Sequence, residues 1–171
     1  MSLRIKQLEN VGVEVLDFDI NTPVTEALKN ELKNLWYEHA ILVFRGQQEI
    51  TPEQQIEFSR IFGPLEMHPL KVNTSEQYPE LFVLENGGPR DDFQTASYNG
   101  QVLVGKLDWH MDLHYTAKPN HGALLLARIV AAEDGLTGFG DLAKAYDALD
   151  QATKQQIANL EVAYQFNVQR R

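Results

Sequence analysis

Ten consecutive residues, Leu107-Asp108-Trp109-His110-Met111-Asp112-Leu113-His114-Tyr115-Thr116, alternate apolar and polar without a break. A period of two is the pattern of a β-strand with two unlike faces. One face carries Leu107, Trp109, Met111, Leu113 and Tyr115, enough apolar bulk to anchor a strand in a core. The other carries Asp108, His110, Asp112, His114 and Thr116. The alternation therefore predicts a strand that sends histidine and aspartate side by side from one face. A strand that merely wets its polar face would show the same pattern.

On an extended chain, residues i and i+2 lie roughly 6.6–6.8 Å apart and point the same way. An imidazole nitrogen and a carboxylate oxygen so placed can meet at one ion, with bonds of about 2.0–2.2 Å. His110-Met111-Asp112 has the spacing of the local half of a 2-His-1-carboxylate facial triad, the donor set of non-haem iron(II) oxygenases. His114 would sit about 13 Å from His110 along the same strand, and three donors in a straight row cannot share one octahedral face. It is read as lining the pocket.

The rest of the composition narrows the class. A chain of 171 residues, 43% apolar and 9% aromatic, has room for one folded domain with a core. Its net charge of −9, without a basic run beyond Arg170-Arg171, argues against nucleic acid or an anionic membrane as partner. The absence of cysteine excludes disulfides, thiolate catalysis and cysteine-ligated metal sites. Residues Met1 to Gln7 lack the apolar centre of a signal peptide. The apolar runs Ile41 to Phe44 and Ala123 to Ala127 are far too short to cross a bilayer. A cytoplasmic protein is the expectation.

Along the chain, Ile5 to Leu8 and Val11 to Val15 predict a hairpin turning at Glu9-Asn10. Thr22-Pro23 predicts the opening of a helix whose inward stripe is Val24, Leu28, Leu32, Leu35 and Trp36. A buried strand, Ile41 to Phe44, follows. Thr51-Pro52-Glu53-Gln54 has the form of a capping box with proline at the first helical position. Ile56, Ile61 and Phe62 of that second helix should pack inward before Gly63-Pro64 stops it. Leu81 to Leu84 reads as a strand, and the glycines and acids of Glu85 to Gly100 read as a long loop, a lid beside the site or, alternatively, a merely floppy connection. Strands are expected at Ala123 to Val130 and from Val162 to Val168, with two short helices between them around Leu142 to Leu149 and Thr153 to Leu160.

Several segments, in their order, resemble the N-terminal part of the taurine dioxygenase (TauD/TfdA-type) family of Fe(II)/2-oxoglutarate-dependent oxygenases. They are His39-Ala40-Ile41-Leu42-Val43-Phe44-Arg45-Gly46-Gln47, Ile50-Thr51-Pro52-Glu53-Gln54-Gln55 and Phe62-Gly63-Pro64-Leu65-Glu66-Met67-His68-Pro69. Trp109-His110-Met111-Asp112, Leu124-Leu125-Leu126-Ala127-Arg128, Thr137-Gly138-Phe139-Gly140-Asp141-Leu142 and Ala145-Tyr146-Asp147-Ala148-Leu149 continue the likeness. The ordered set is far more specific than His-x-Asp alone.

The resemblance implies a mixed α/β fold, a double-stranded β-helix (jelly roll) with flanking helices, in a single domain over residues 1–171. It makes His110 and Asp112 the first two iron ligands. Thr137 matches a threonine that hydrogen-bonds a 2-oxoglutarate carboxylate, although Asp134-Gly135-Leu136-Thr137 stands where the family usually has Gly-Gly-Asp-Thr. An ordinary β-turn threonine is the alternative. His68 matches a substrate-side histidine of some members, and Lys106 lies just before the metal segment, where members vary with substrate. A satisfied or surface histidine and a solvated lysine are the corresponding alternatives. Arg45 and Arg128 match family positions and are read as structural, pairing with carboxylates or strand ends. The cofactors implied are Fe(II), 2-oxoglutarate and O2. The reaction implied is hydroxylation of a small organic acid, coupled to decarboxylation of 2-oxoglutarate to succinate.

The family also uses a distal histidine and, soon after it, an arginine for the far carboxylate of 2-oxoglutarate. No histidine follows His121, and His39, His121, Arg170 and Arg171 do not match those positions. The fold is therefore expected to be incomplete at the C-terminus, and the chain by itself to bind iron weakly without enzyme-like turnover. The alternative is a non-catalytic remnant acting as a binding or oligomerisation module. Exposed strand edges and an apolar inner face would favour a homo-oligomer in either case.

Overall fold

The structure, a computed structural model, describes residues 3–69, 74–84, 95–98, 101–104, 109–133 and 135–164, with backbone alone for 95–98 and 101–104. Its contacts divide the chain into two compact units, Met1–Pro64 with Leu124–Val162 and Leu65–Ala123 with Ala163–Arg171.

The first unit opens with the expected hairpin. Strand β1 (Ile5–Gln7) runs antiparallel to β2 (Val13–Val15), with Ile5 opposite Val15 and Gln7 opposite Val13. Helix α1 (Glu26–His39) then crosses over to β3 (Leu42–Val43), which pairs parallel to β2. A parallel pair requires such a crossover, and a helix is its usual form. Gly12 lets the β2–β3 edge close. It takes φ of +85°, and a Cβ there would lie 2.7 Å from the carbonyl oxygen of Ile41, to which Val13 N–H donates at 2.9 Å.

Helix α1 begins three residues later than Thr22-Pro23 predicts. Thr22 N–H is committed to the Asp19 carbonyl at 2.9 Å, and Asp19 also accepts from Asn21 N–H, so residues 19–22 form a turn of their own. Thr25 takes the cap instead, its hydroxyl accepting from Leu28 N–H at 3.2 Å. Val24 is consequently exposed, while Leu32 is fully buried. Helix α2 (Pro52–Ser59) shows the full capping box: Thr51 Oγ1 accepts from Gln54 N–H at 3.2 Å, and Gln54 Oε1 accepts from Thr51 N–H at 2.7 Å. Leu32, Phe58 and Ile61 form the core, with Leu28, Leu42, Phe44, Phe62 and Leu124 packed against them. Edge-on rings interlock it, Phe18 to Phe44 at 5.0 Å, Phe44 to Phe58 at 5.2 Å and Phe58 to Phe62 at 5.7 Å.

The returning segment of this unit carries α3 (Leu142–Asp147) and α4 (Gln151–Ile157), as the sequence predicts. Residues 123–130 do not form the expected strand. A strand exists only through a ladder partner, and among the described residues this segment has none. Leu125, Ile129, Val130, Leu136, Leu142, Leu160 and Val162 all remain exposed.

In the second unit, β4 (Thr95–Tyr98) and β5 (Gln101–Val104) pair antiparallel, with Tyr98 opposite Gln101. Residues 95–98 thus leave the loop expected over Glu85 to Gly100. The other residues of that segment lie outside the described residues. Leu81 to Leu84 contributes a single bridge, Phe82 to Thr74, rather than a strand. Val162 to Tyr164 is not in a strand, and Phe166 and Val168 lie outside the described residues.

The predicted strand over residues 107–116 is also corrected. Where described, from Trp109 onward, it bends and turns instead. Leu113 adopts φ of +54°, Thr116 N–H returns to the Leu113 carbonyl at 3.0 Å, and Thr116 Oγ1 donates to the same carbonyl at 2.7 Å. These local bonds satisfy the Thr116 N–H and the Leu113 carbonyl without a neighbour strand. The apolar face is not buried either, since Trp109 is 78% and Met111 50% exposed.

Candidate metal centre

The turn still brings the two predicted ligands together. His110 Nε2 lies 3.3 Å from Asp112 Oδ1, with the side chains roughly half exposed. Adjacent donors on an octahedral ion with bonds of about 2.1 Å sit about 3 Å apart. The pair therefore fits two neighbouring positions of one ion with little adjustment. Neutral imidazole and carboxylate are also the donor types that iron(II) takes. Among the described residues no group of three His, Cys, Asp or Glu side chains is arranged to hold a metal. The residues present fit two donors of a centre.

The local frame is set by residues 113–118. Thr116 Oγ1 bridges the carbonyls of Leu113 and Lys118, at 2.7 and 2.9 Å, and fixes the turn immediately after Asp112. His114 is half-buried in this turn, and its ring meets Tyr164 edge-on at 4.7 Å. Lys118 in turn pairs with Glu66 at 3.3 Å.

His68, in the same unit, is half-buried with its imidazole 4.2 Å from the ring of Phe82 and tilted by 38°. Sequence reasoning missed Phe82 because nothing in a local pattern shows a contact across fourteen positions. Lys106 lies outside the described residues. Thr137 belongs to the first unit and is exposed, two residues after Gly135, which takes a left-handed φ of +64°. The two family arginines have structural partners: Arg45 Nε meets Glu14 Oε1 at 3.1 Å, and Arg128 donates to the carbonyl of Ile50 at 2.7 Å. Arg128 thereby holds the backbone just before the Thr51 cap.

Comparison with known proteins bears on this pair of donors. Residues 4–171 match the model of the family described as taurine catabolism dioxygenase TauD, TfdA family. The chain is 34% identical over 156 residues to an (S)-phenoxypropionate/alpha-ketoglutarate-dioxygenase of Sphingobium herbicidovorans, covering 90% of this chain and 48% of the relative. It is 32% identical over 159 residues to an alpha-ketoglutarate-dependent 2,4-dichlorophenoxyacetate dioxygenase of Cupriavidus pinatubonensis, covering 90% and 54%. The chain thus spans about half the length of these curated relatives. Its structure is similar to a crystal structure of AAD-2 in complex with Mn(II) and N-oxalylglycine, with a TM-score of 0.59 and 25% identity, over 91% of this chain and 54% of that one. With nearly every residue inside the matched region and His-x-Asp donors drawn together by the fold, the chain belongs to the TauD/TfdA family of dioxygenases.

Proposed function

We propose that this chain supplies the His110 and Asp112 ligands of an Fe(II)/2-oxoglutarate-dependent dioxygenase that hydroxylates a small organic acid. The observation that carries the reading is the 3.3 Å approach of His110 Nε2 to Asp112 Oδ1 within a chain of this family. Bound Fe(II) would couple O2-dependent decarboxylation of 2-oxoglutarate to succinate with oxidation of a substrate C–H bond. The chain's own residues would do the holding. His110 offers a neutral nitrogen, and Asp112 an anionic oxygen that offsets part of the ion's charge. The Thr137 hydroxyl is a donor suited to a cosubstrate carboxylate, and His68 and Lys106 are suited to an organic anion. The fold in which these residues would work is the jelly roll of the family. The names of the relatives favour an aryloxy carboxylic acid as substrate.

The test is titration of the chain with Mn(II), followed by paramagnetic broadening of its amide and imidazole resonances. Broadening should centre on His110 and Asp112. His110→Ala or Asp112→Ala should abolish it. Even residues that only support a ligand are worth roughly 10–100-fold in metal affinity. Broadening centred elsewhere would overturn the assignment.

A second reading, a binding module without catalysis, is favoured by the exposed apolar side chains of the returning segment and by the two-donor set among the described residues. Oxygen-dependent succinate formation that disappears in His110→Ala supports the oxygenase. Absence of Mn(II) broadening at His110 and Asp112 supports the module.

A further inference from the structure

We infer that Thr116 is a positioning residue for the His110–Asp112 pair, its hydroxyl holding Leu113 in the left-handed conformation that carries the chain from Asp112 into the turn. This rests on the reading of His110 and Asp112 as metal ligands. Leu113, directly after Asp112, adopts φ of +54°. A leucine side chain has no polar atom with which to favour that region, and a residue of this kind stays there only where its surroundings over-determine it. Here the surroundings are Thr116. Its N–H donates to the Leu113 carbonyl at 3.0 Å and its Oγ1 to the same oxygen at 2.7 Å, so both lone pairs of that carbonyl are engaged. The hydroxyl hydrogen is shared with the Lys118 carbonyl at 2.9 Å, which ties the start of the turn to the residues beyond it. A second tie is weaker: Lys118 Nζ meets Glu66 Oε1 at 3.3 Å, but the Lys118 side chain is 84% exposed, and exposed ion pairs contribute little. The half-buried hydroxyl is therefore the group that sets the conformation of Leu113. That conformation sets the path of the chain through Asp112. Holding it before an ion arrives keeps Nε2 and Oδ1 3.3 Å apart, close to the spacing of two adjacent donors, and spares ion binding the cost of ordering the ligand.

The experiment titrates the full chain with Mn(II). Affinity is read from the paramagnetic resonance signal of free Mn(II), and location from broadening of the His110 and Asp112 resonances. Thr116→Val keeps the side-chain shape and removes the hydroxyl. It should weaken Mn(II) binding roughly tenfold, the lower end for a group that supports a ligand. It should also abolish the strong Leu113 HN–Hα cross-peak that marks a positive φ in the wild type. Thr116→Ser, which keeps the hydroxyl, should retain both. Leu113→Val, whose β-branch opposes positive φ, should weaken binding in the same way. Because both substitutions act on one conformation, the double variant should lose no more than the weaker-binding single variant. Glu66→Gln should leave the affinity within about twofold. Should Thr116→Val disturb amides elsewhere in the unit, Thr116→Ser and Leu113→Val carry the test. Equal affinity in wild type, Thr116→Val and Leu113→Val overturns the inference, as do an equal loss in Thr116→Ser and additive losses in the double variant. In that case broadening at His110 and Asp112 persists and the metal centre stands. A wild-type chain without broadening there overturns the reading of the metal centre, and this inference with it.

Discussion

Gly12 shows how a single residue decides local geometry. Its φ of +85° costs glycine little, and the space a Cβ would fill is occupied by Ile41 backbone and side-chain atoms at 2.7 and 2.8 Å. Gly12→Ala must both strain the backbone and push β2 away from β3, so a loss of about 1–3 kcal/mol is expected from the backbone alone. Urea denaturation measures it, and a change below a few tenths of a kcal/mol would show that the edge can shift freely. His110 and Asp112 make the opposite case. Their nearness was legible from spacing alone, yet the geometry that delivers it is a turn. A separation of two residues allows convergence in several backbone conformations, so the motif survives an error in the secondary structure around it.

At the scale of elements, the helices obeyed their local signals wherever a cap was available without competition. The Thr51 box is complete, and Thr51→Ala should destabilise the protein by about 1 kcal/mol, read as a lowered urea midpoint with an unchanged slope. Asp150 caps α4, and hydrogen bonds from Thr153, first its backbone N–H and then its hydroxyl, hold the Asp150 carboxyl below the usual carboxylate range. A depressed carboxylate contributes stability above its ordinary pKa and loses it as pH falls through the lower folded value. The Thr153 amide resonance should therefore shift with pH at a midpoint below the ordinary aspartate value, and Asp150→Asn should keep the cap while abolishing that shift. A midpoint at or above the ordinary aspartate value would remove the cap from the account. The β4–β5 hairpin was legible but unread: Asn99-Gly100 between Thr95–Tyr98 and Gln101–Val104 is a strong short-range hairpin signal. It was submerged in the glycines and acids that precede it.

Across the whole molecule, stability in the first unit rests on a small core. Leu32 is completely buried among Phe58 and Ile61, so Leu32→Ala should cost about 2–5 kcal/mol and lower the thermal midpoint by many degrees. A shift of only a degree or two would mean that the surrounding rings collapse into the space. Helices, caps and the first hairpin were determined by the sequence itself, because hydrogen bonds between residues four or fewer positions apart, or across a short turn, sustain them. Family membership was legible too, since it resides in the order of short motifs rather than in their conformation. Whether residues 107–116 and 123–130 become strands was a tertiary decision. Alternation and apolar runs describe which side chains a strand could bury, but a strand also needs a neighbour to take its N–H and C=O groups, and that neighbour is supplied by distant chain or not at all. The contact of Phe82 with His68 was likewise decided only in three dimensions, because ring stacking between residues fourteen apart leaves no periodic trace in the chain that makes it.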